Sequence, residues 1–221
     1  EREQKMKVQI SILYICVLGI PVFAGFVDSF EGATVDPFWQ IWPSSGSTIN
    51  TNTTIAHSGS QSLQVNDSGE QIGHYFASPV YGTFSIWYCE LSLSNNYNGF
   101  YVLLNNIGGW GAYLGSTRDK DDLERTVGYD NAGTGIQKTN NWHQFEINVL
   151  PGSLIMSIDQ QMVYSGGETG GVTGVFFAKY GGNSNDPVYL DDFELAIIPE
   201  PATMSILLLG IATMTLKRKT K

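Results

Sequence analysis

The chain has 221 residues, of which 42% are apolar and 15% are charged, and it contains 25 glycines. This composition excludes most disordered proteins, which combine low hydrophobicity with high charge, and it disfavours coiled coils and helix bundles, which are rich in Ala, Glu, Lys and Leu. The formal net charge of −9 disfavours a nucleic-acid-binding protein, because those proteins present basic surfaces to the phosphate backbone.

The charge is unevenly distributed along the chain. Residues 1–24 and 199–221 together carry seven of the 12 basic residues and three of the 21 acidic residues. Five basic and 18 acidic side chains remain between them, so the middle of the chain has a net charge of −13. An acidic middle flanked by basic, apolar ends is typical of an exported domain between two targeting segments.

The first predicted element is a secretory signal peptide at residues 1–24. A basic start at Met6 and Lys7 precedes an apolar run, which closes on the small residue Ala24. This order defines a signal peptide, so we predict translation from Met6, export by the Sec translocon and cleavage after Ala24. An anchor helix that is not cleaved is the alternative.

Residues 25–197 are predicted to form one all-β domain. Short runs of β-branched and aromatic residues alternate with Gly, Asn, Ser and Pro, and helical periodicity is almost absent. Phe145, Ile147 and Val149 alternate with polar residues, which is the pattern of a half-buried strand. Many short strands in one domain are typical of a sandwich or barrel. The predicted strands comprise residues 26–30, 47–52, 61–66, 71–77, 84–93, 100–105, 111–115, 126–129, 142–150, 154–158, 162–164, 172–178 and 188–195.

Several short motifs, read in chain order, resemble those of the concanavalin A-like lectin and glucanase jelly rolls, especially the laminin G-like modules. The opening and closing motifs also resemble galactose-binding-like carbohydrate-binding modules. The resemblance implies a jelly-roll β-sandwich. The motifs are Asp28-Ser29-Phe30-Glu31-Gly32, Trp39, Ala56-His57-Ser58-Gly59-Ser60-Gln61-Ser62-Leu63, Trp142-His143, Ser157-Ile158-Asp159 and Tyr189-Leu190-Asp191-Asp192-Phe193-Glu194-Leu195.

The sequence lacks the catalytic pattern of the glucanases that it resembles. Those enzymes carry acid and nucleophile on one strand, spaced Glu-x-Asp-x-Glu or Glu-x-Asp-x-x-Glu, and no such run occurs. His57, His74 and His143 are scattered, without partners at the spacing of a metal site or a catalytic triad. The chain is therefore predicted not to be an enzyme. A cryptic glycan hydrolase, with carboxylates converging from distant strands, is the alternative.

Aromatic residues near glycine and asparagine are the candidate carbohydrate contacts. Sugar-binding sandwiches stack aromatic rings on the apolar face of a sugar and bind its hydroxyls through polar side chains. Trp39 and Trp42 lie three residues apart, and Trp110 lies among glycines, where an exposed indole indicates a binding purpose. We select Trp39, Trp42, Trp110 and Tyr113, while a core position for each ring stays open because a sandwich needs an aromatic core.

The first and last predicted strands suggest a cation site. Strict alternation puts Asp28 on the face of Phe26 and Phe30, and Asp191 on the face of two further aromatic residues. Terminal strands are often neighbours in jelly rolls, and two core-facing carboxylates cannot both stay ionised without a partner. A shared structural Ca²⁺ would supply that partner. In the alternative, one carboxylate bonds a turn backbone or lies at the rim of the sheet.

Cysteine use and local charge add two smaller predictions. If Cys16 leaves with the signal peptide, Cys89 is the remaining cysteine, so no intramolecular disulfide can form. Cys89 lies in a run with strand character and is predicted to be a buried thiol. The densest charge run, residues 118–125, is predicted to be a solvated loop.

The last predicted element is a sorting segment at residues 198–221. Pro199-Glu200-Pro201 precedes a nearly uninterrupted apolar stretch at 202–216 and a basic cluster at 217–221. Fifteen helical residues span about 22 Å, which snorkelling lysines and local thinning extend to the ~30 Å hydrocarbon core of a bilayer. The stretch is therefore predicted to be a transmembrane helix with its basic end in the cytoplasm.

This three-part order resembles the PEP-CTERM sorting signal of Gram-negative bacteria, which some collections call an ice-binding protein C-terminal domain. The resemblance implies that an exosortase processes the chain at Pro199, Glu200 and Pro201, after transient anchoring in the inner membrane. It also implies delivery to the cell envelope or the extracellular matrix. An ordinary C-terminal anchor is the alternative, and it too places the middle domain outside the cytoplasm.

These features lead to one functional hypothesis and a competitor. The chain is predicted to be an exported, non-catalytic envelope or matrix protein whose jelly roll binds polysaccharide. The competitor is a purely structural or adhesive matrix protein without a small ligand.

Overall fold

The computed structural model describes residues 23–42, 49–91, 97–107, 111–116, 122–167, 170–181 and 186–198. Most of the predicted signal peptide, Trp110, the Pro199-Glu200-Pro201 motif and the predicted transmembrane helix lie outside these ranges. Among the residues within them, no helix is long and apolar enough to cross a membrane.

The regular elements of the described ranges are strands, which confirms the all-β prediction. In chain order they are β1 (Phe23–Asp28), β2 (Gln40–Trp42), β3 (Asn50–Asn52), β4 (Ser62–Val65), β5 (Glu70–Glu90), β6 (Asn98–Leu104), β7 (Ala112–Ser116), β8 (Asp122–Val127), β9 (Asp130–Gln137), β10 (His143–Leu150), β11 (Ser153–Ile158), β12 (Gln161–Gly166), β13 (Val172–Lys179) and β14 (Val188–Ile198).

The strands pair antiparallel in two sheets, which share the long strand β5. Sheet A has the order β12-β11-β10-β5-β14, with β1 and β4 along the far side of β14 and β3 beyond β4. Sheet B has the order β2-β5-β13-β6-β7-β8-β9. Residues 70–80 of β5 pair within sheet B and residues 81–90 pair within sheet A, so β5 passes from one sheet to the other.

The hydrophobic core fills the space between the two sheets. Phe145, Ile147 and Val149 of β10 are fully buried and alternate with half-buried polar residues, as the sequence pattern predicted. β11 repeats the alternation in register with β10. Sheet B contributes the buried side chains of Ile72, Phe100, Val102, Leu114, Leu123, Val175 and Phe177.

The two terminal strands are neighbours, but a β-bulge changes which residues share a face. β1 pairs with β14, and Asp28 lies opposite Phe193, on the core side of sheet A. In β14 the core residues are Leu190 and then Phe193, because the register shifts after Asp191 and Asp192 adopts a left-handed φ of 44°. Asp191 therefore faces the outer side of sheet A. The expectation that Asp28 and Asp191 share one core-facing side is wrong, since strict alternation does not hold through the bulge.

Candidate functional site

Aromatic side chains gather on the outer side of sheet B. The chain neighbours of Tyr75, Tyr101, Tyr113 and Phe176 pack in or against the core, so alternation turns these four rings outward. Trp42 joins them from the edge strand β2. We call Trp42, Tyr75, Tyr101, Tyr113, Phe176 and the adjacent Tyr180 the aromatic face.

Phe176 lies at the centre of the aromatic face. Its ring centroid is 4.8 Å from that of Tyr75, 5.3 Å from that of Tyr101 and 5.8 Å from that of Trp42. Tyr101 stacks on it with an interplanar angle of 18°, whereas Trp42 and Tyr75 meet each other at 84°. The cluster therefore has a base of two stacked rings, Tyr101 and Phe176, and two outer rings, Trp42 and Tyr75, that are nearly perpendicular to each other.

The aromatic face has buried and exposed members. Phe176 and Tyr101 are only 2% and 6% exposed, whereas Trp42 is 37%, Tyr75 52% and Tyr180 37% exposed. Exposed large apolar side chains that adjoin one another are typical of binding surfaces. The buried rings support the three exposed ones, which are accessible to a ligand.

Two glycines let the outward rings lie close to the sheet. A Cβ at Gly73 would come within 2.1 Å of Cδ1 of Phe176, and one at Gly99 within 2.3 Å of Cε2 of Tyr113. Any side chain at these positions would lift the rings away from the strands. Part of the high glycine content thus serves close packing of aromatic rings on the outer side of sheet B.

The hydroxyl groups of the buried tyrosines are engaged within the protein. The Tyr113 hydroxyl is close to the carbonyl oxygens of Asn98 and Ser116, at 3.0 and 2.9 Å. Tyr101 hydrogen-bonds to Tyr180, and burial is the main cause that raises the pKa of Tyr101. Burial likewise raises the pKa of Tyr113. Tyr113, a predicted carbohydrate contact, thus contributes an apolar ring to the base of the aromatic face.

The charged groups on the outer side of sheet B are acidic. Asp122 and Glu124 of β8 both lie on the outer side, flanking the core residue Leu123, and Glu124 is only 5% exposed. Among the described residues of sheet B, no Lys or Arg shares that side. Lys179 turns inward and donates to the carbonyl of Asn66, and Arg125 bonds Asp130. The prediction of a solvated loop over 118–125 is wrong from Asp122 onward, because β8 begins there and pairs with β7 and β9.

Of the predicted carbohydrate contacts, Trp39 is placed in the core. Its side chain is only 8% exposed, and its ring packs 4.8 Å from that of Phe193, centroid to centroid. The prediction that Trp39 contacts a sugar is therefore wrong, because β2 begins at the next residue and puts only Trp42 on the outer side. Trp110 lies outside the described residues.

Protein donors satisfy the two aspartates that suggested a cation. Asp28 accepts hydrogen bonds from the backbone N–H of Phe30 and from Nε1 of Trp39, both at 2.8 Å. Asp191 accepts from the backbone N–H groups of His57, Ser58 and Asp192 at 2.8–3.1 Å.

The pKa of Asp191 reflects two opposing effects. Burial raises it, and the three backbone hydrogen bonds act in the opposite direction. Across the described ranges, no three His, Cys, Asp or Glu side chains lie together as metal ligands. Asp28 and Asp191 thus have hydrogen-bond donors from the protein where the sequence suggested a calcium ion.

The motif at residues 56–63 connects the two ends of the domain. Nδ1 of His57 lies 2.7 Å from Oδ2 of Asp192, and the His57 ring stacks on Trp87 at a centroid distance of 3.7 Å. Ser60 and Gln61 donate three hydrogen bonds to the carboxylate of Glu31. The motif therefore holds the segment after β1 and the bulge of β14 together.

The His143 ring has a polar partner at each of its two nitrogens, and both partners lie outside β10. Its Nδ1 is 2.7 Å from Oδ2 of Asp159, and its Nε2 is 2.9 Å from Oγ1 of Thr139. Asp159 also accepts the backbone N–H of Gln144. These contacts tie the start of β10 to the β11–β12 turn, which sequence spacing did not reveal.

Comparison with known proteins identifies the architecture. The chain matches no protein-family model and no curated protein sequence. Among solved structures it is similar to the cellulose-induced protein Cip1, with 18% identity over 77% of this chain and 96% of that one and a TM-score of 0.58. It is also similar to the Bacillus licheniformis β-glucanase, with 11% identity over 78% and 98% of the two chains and a TM-score of 0.56. The fold is a jelly roll of the concanavalin A-like, glucanase type.

A third similar structure belongs to a larger protein. A sialidase matches with 12% identity and a TM-score of 0.56, covering 78% of this chain and 18% of that one. At these identities the likeness concerns the fold alone. The predicted jelly-roll architecture is confirmed at that level, and function rests on the residues of this chain.

Proposed function

We propose that the chain is an exported, non-catalytic protein of the cell envelope or extracellular matrix, and that its jelly roll binds polysaccharide through the aromatic face. The observation that carries this proposal is the exposure of Trp42 and Tyr75 beside the buried ring of Phe176. Aromatic rings that are exposed and firmly supported can stack on the apolar faces of sugar rings. Gln71 and Tyr180 add polar groups beside them.

The export part of the proposal rests on the sequence. The predicted signal peptide at 1–24 implies the Sec translocon, and Pro199-Glu200-Pro201 with its apolar and basic continuation implies an exosortase. Replacing these three residues by alanine in the host should retain the protein in the membrane fraction. Unchanged delivery to the outer surface or medium would contradict exosortase sorting.

The binding part is tested by affinity electrophoresis of the full chain in gels that contain soluble polysaccharides. We expect retardation of the native protein by at least one polysaccharide, and weaker retardation of Trp42→Ala and Tyr75→Ala. Tyr129→Ala is the matched control, since this tyrosine is 85% exposed in the β8–β9 turn. No retardation by any polysaccharide would favour the purely structural or adhesive alternative.

Hydrolysis of a bound glycan is the second candidate function. Asp122 and Glu124 are two carboxylates on the same side of sheet B as the aromatic face, where Asp122 is half-buried and Glu124 is only 5% exposed. Glycosidases use a pair of carboxyl groups, so this pair is the place to test. Release of reducing ends from a bound polysaccharide, abolished in Glu124→Gln, would establish an enzyme; no release supports a binding protein.

A further inference from the structure

We infer that the aromatic face binds single, uncharged polysaccharide chains in solution, and that it discriminates against crystalline surfaces and against anionic polysaccharides. The inference rests on the proposed function, because it specifies the ligand class of the same surface. Two independent properties support it, the angle between two exposed rings and the lack of basic groups among the described residues on this side of sheet B.

The first property is the angle between two of the three exposed rings. Trp42 and Tyr75 have centroids 6.1 Å apart and an interplanar angle of 84°. A crystalline polysaccharide presents one plane, so rings that stack on it must be nearly coplanar. With Trp42 parallel to such a plane, Tyr75 would touch it only with its edge. A flexible chain can instead turn between residues, so that one sugar stacks on Trp42 and a neighbouring sugar stacks on Tyr75.

The central ring does not restore a flat platform. Phe176 is tilted by 40° from Trp42 and by 68° from Tyr75, and it is almost completely buried. Tyr101, which stacks on Phe176, is buried as well. The nearly parallel pair therefore lies below the surface, and Trp42 and Tyr75, two of the three exposed rings, form a corner.

The second property is the electrostatics of the outer side of sheet B. Among its described residues, the ionisable carboxyl and basic groups are Asp122 and Glu124 of β8, which lies four strands from β5 in the sheet, and Glu124 is only 5% exposed. An anionic polysaccharide needs basic partners, because desolvation of its own charges opposes binding, and the described residues on this side of sheet B supply none. Around the rings the polar groups are uncharged, namely the Gln71 amide and the Tyr180 hydroxyl. Such groups suit the hydroxyls of a neutral sugar.

The test compares three kinds of probe with the full chain. The soluble neutral probes are mixed-linkage β-glucan, xylan and galactomannan, the anionic probe is polygalacturonate, and the crystalline probe is microcrystalline cellulose in a pull-down. We expect at least one soluble neutral polysaccharide to bind, with the same affinity at low and high ionic strength. Polygalacturonate and microcrystalline cellulose should not bind.

Variants show whether the aromatic face is responsible. Trp42→Ala and Tyr75→Ala should each weaken binding of the neutral probe about tenfold, which is the order expected for the loss of one stacked ring. Trp42→Phe should retain part of the affinity, and Tyr129→Ala should retain all of it. Thermal melting of each variant establishes that a lost affinity does not come from unfolding.

The outcomes separate the inference from the proposed function. Salt-sensitive binding of polygalacturonate, or a pull-down on microcrystalline cellulose that Trp42→Ala reduces, would overturn the inference and leave polysaccharide binding standing. Neutral binding unaffected by both alanine variants would also overturn it, since another surface would then be in use. Absence of binding to every probe would overturn the proposed function together with the inference.

Discussion

Nε1 of Trp39 donates a hydrogen bond to Oδ2 of Asp28 at 2.8 Å. The bond joins the end of β1 to the segment that leads into β2. The indole also packs against Phe38 and Phe193, with centroids 5.0 and 4.8 Å away. Trp39 thus anchors the first strand on the core, although Trp42, three residues later, lies on the aromatic face.

Replacing Trp39 by phenylalanine should affect stability and not binding. Trp39→Phe keeps an aromatic ring but removes the donor to a half-buried carboxylate oxygen. The free energy of unfolding should fall by about 1–3 kcal/mol, which urea denaturation measures. Affinity for a soluble polysaccharide should be unchanged below the unfolding transition. A loss of affinity as large as that of Trp42→Ala, without a loss of stability, would contradict the core assignment.

Chelation of calcium distinguishes two explanations for the carboxylates of Asp28 and Asp191, a bound calcium ion and hydrogen bonds from the protein. A structural calcium ion, as the sequence suggested, predicts that EDTA lowers the melting temperature and that added calcium restores it. The hydrogen bonds to Asp28 and Asp191 predict an unchanged melting temperature, since every carboxylate oxygen of the two already has a donor. Differential scanning calorimetry with EDTA, and then with excess calcium, distinguishes these results.

Glu31 should make the domain sensitive to acid. Hydrogen bonds from Ser60 and Gln61 lower the pKa of Glu31 below its ordinary value of 4.5. A lowered pKa contributes stability that is present above the ordinary value and is lost as the pH falls through the lowered one. Glu31→Gln should therefore reduce stability at neutral pH and flatten the decline of the melting temperature in acid.

The matched control for that experiment is Glu194→Gln, at an exposed glutamate of β14. It should leave the acid part of the stability curve as steep as in the native protein. Equal curves for Glu31→Gln and the native protein would show that the three hydrogen bonds to Glu31 contribute nothing in solution. Asp191 affects the pH dependence of stability in the opposite direction to Glu31, because burial raises its pKa.

Cys89 should be inert in the folded protein. Burial, followed by the charge of Glu90, raises the pKa of its thiol to about 11, and Sγ lies 3.6 Å from the carbonyl oxygen of Asn140. The reactive thiolate is therefore scarce at neutral pH. Iodoacetamide should modify Cys89 in denaturant and leave it unmodified in the native state, as peptide mass spectrometry detects. Equal rates in both states would contradict the burial of this thiol.

Several strands could be read from the sequence because their signal is local. The alternation of Phe145, Ile147 and Val149 predicts a half-buried strand, and β10 has that strand with its core face as expected. β9 was missed, since Gly133 and Gly135 weaken its strand propensity and it is held by pairing with β8. β5 was predicted as two strands, because Pro79 and Gly82 resemble breaks where the strand passes between the sheets.

The sequence by itself determined that this domain is a β-sandwich with an acidic surface, because composition and two-residue alternation are properties of the chain. Only the tertiary structure decided which aromatic residues reach solvent. Trp42 and Tyr75 become neighbours because β2 pairs with β5, and Trp39 lies in the core, where it donates a hydrogen bond to Asp28. A one-residue bulge in β14 turned Asp191 away from Asp28. The exposure of a side chain and the face of the sheet on which it lies depend here on contacts between residues far apart in the chain, which no local pattern encodes.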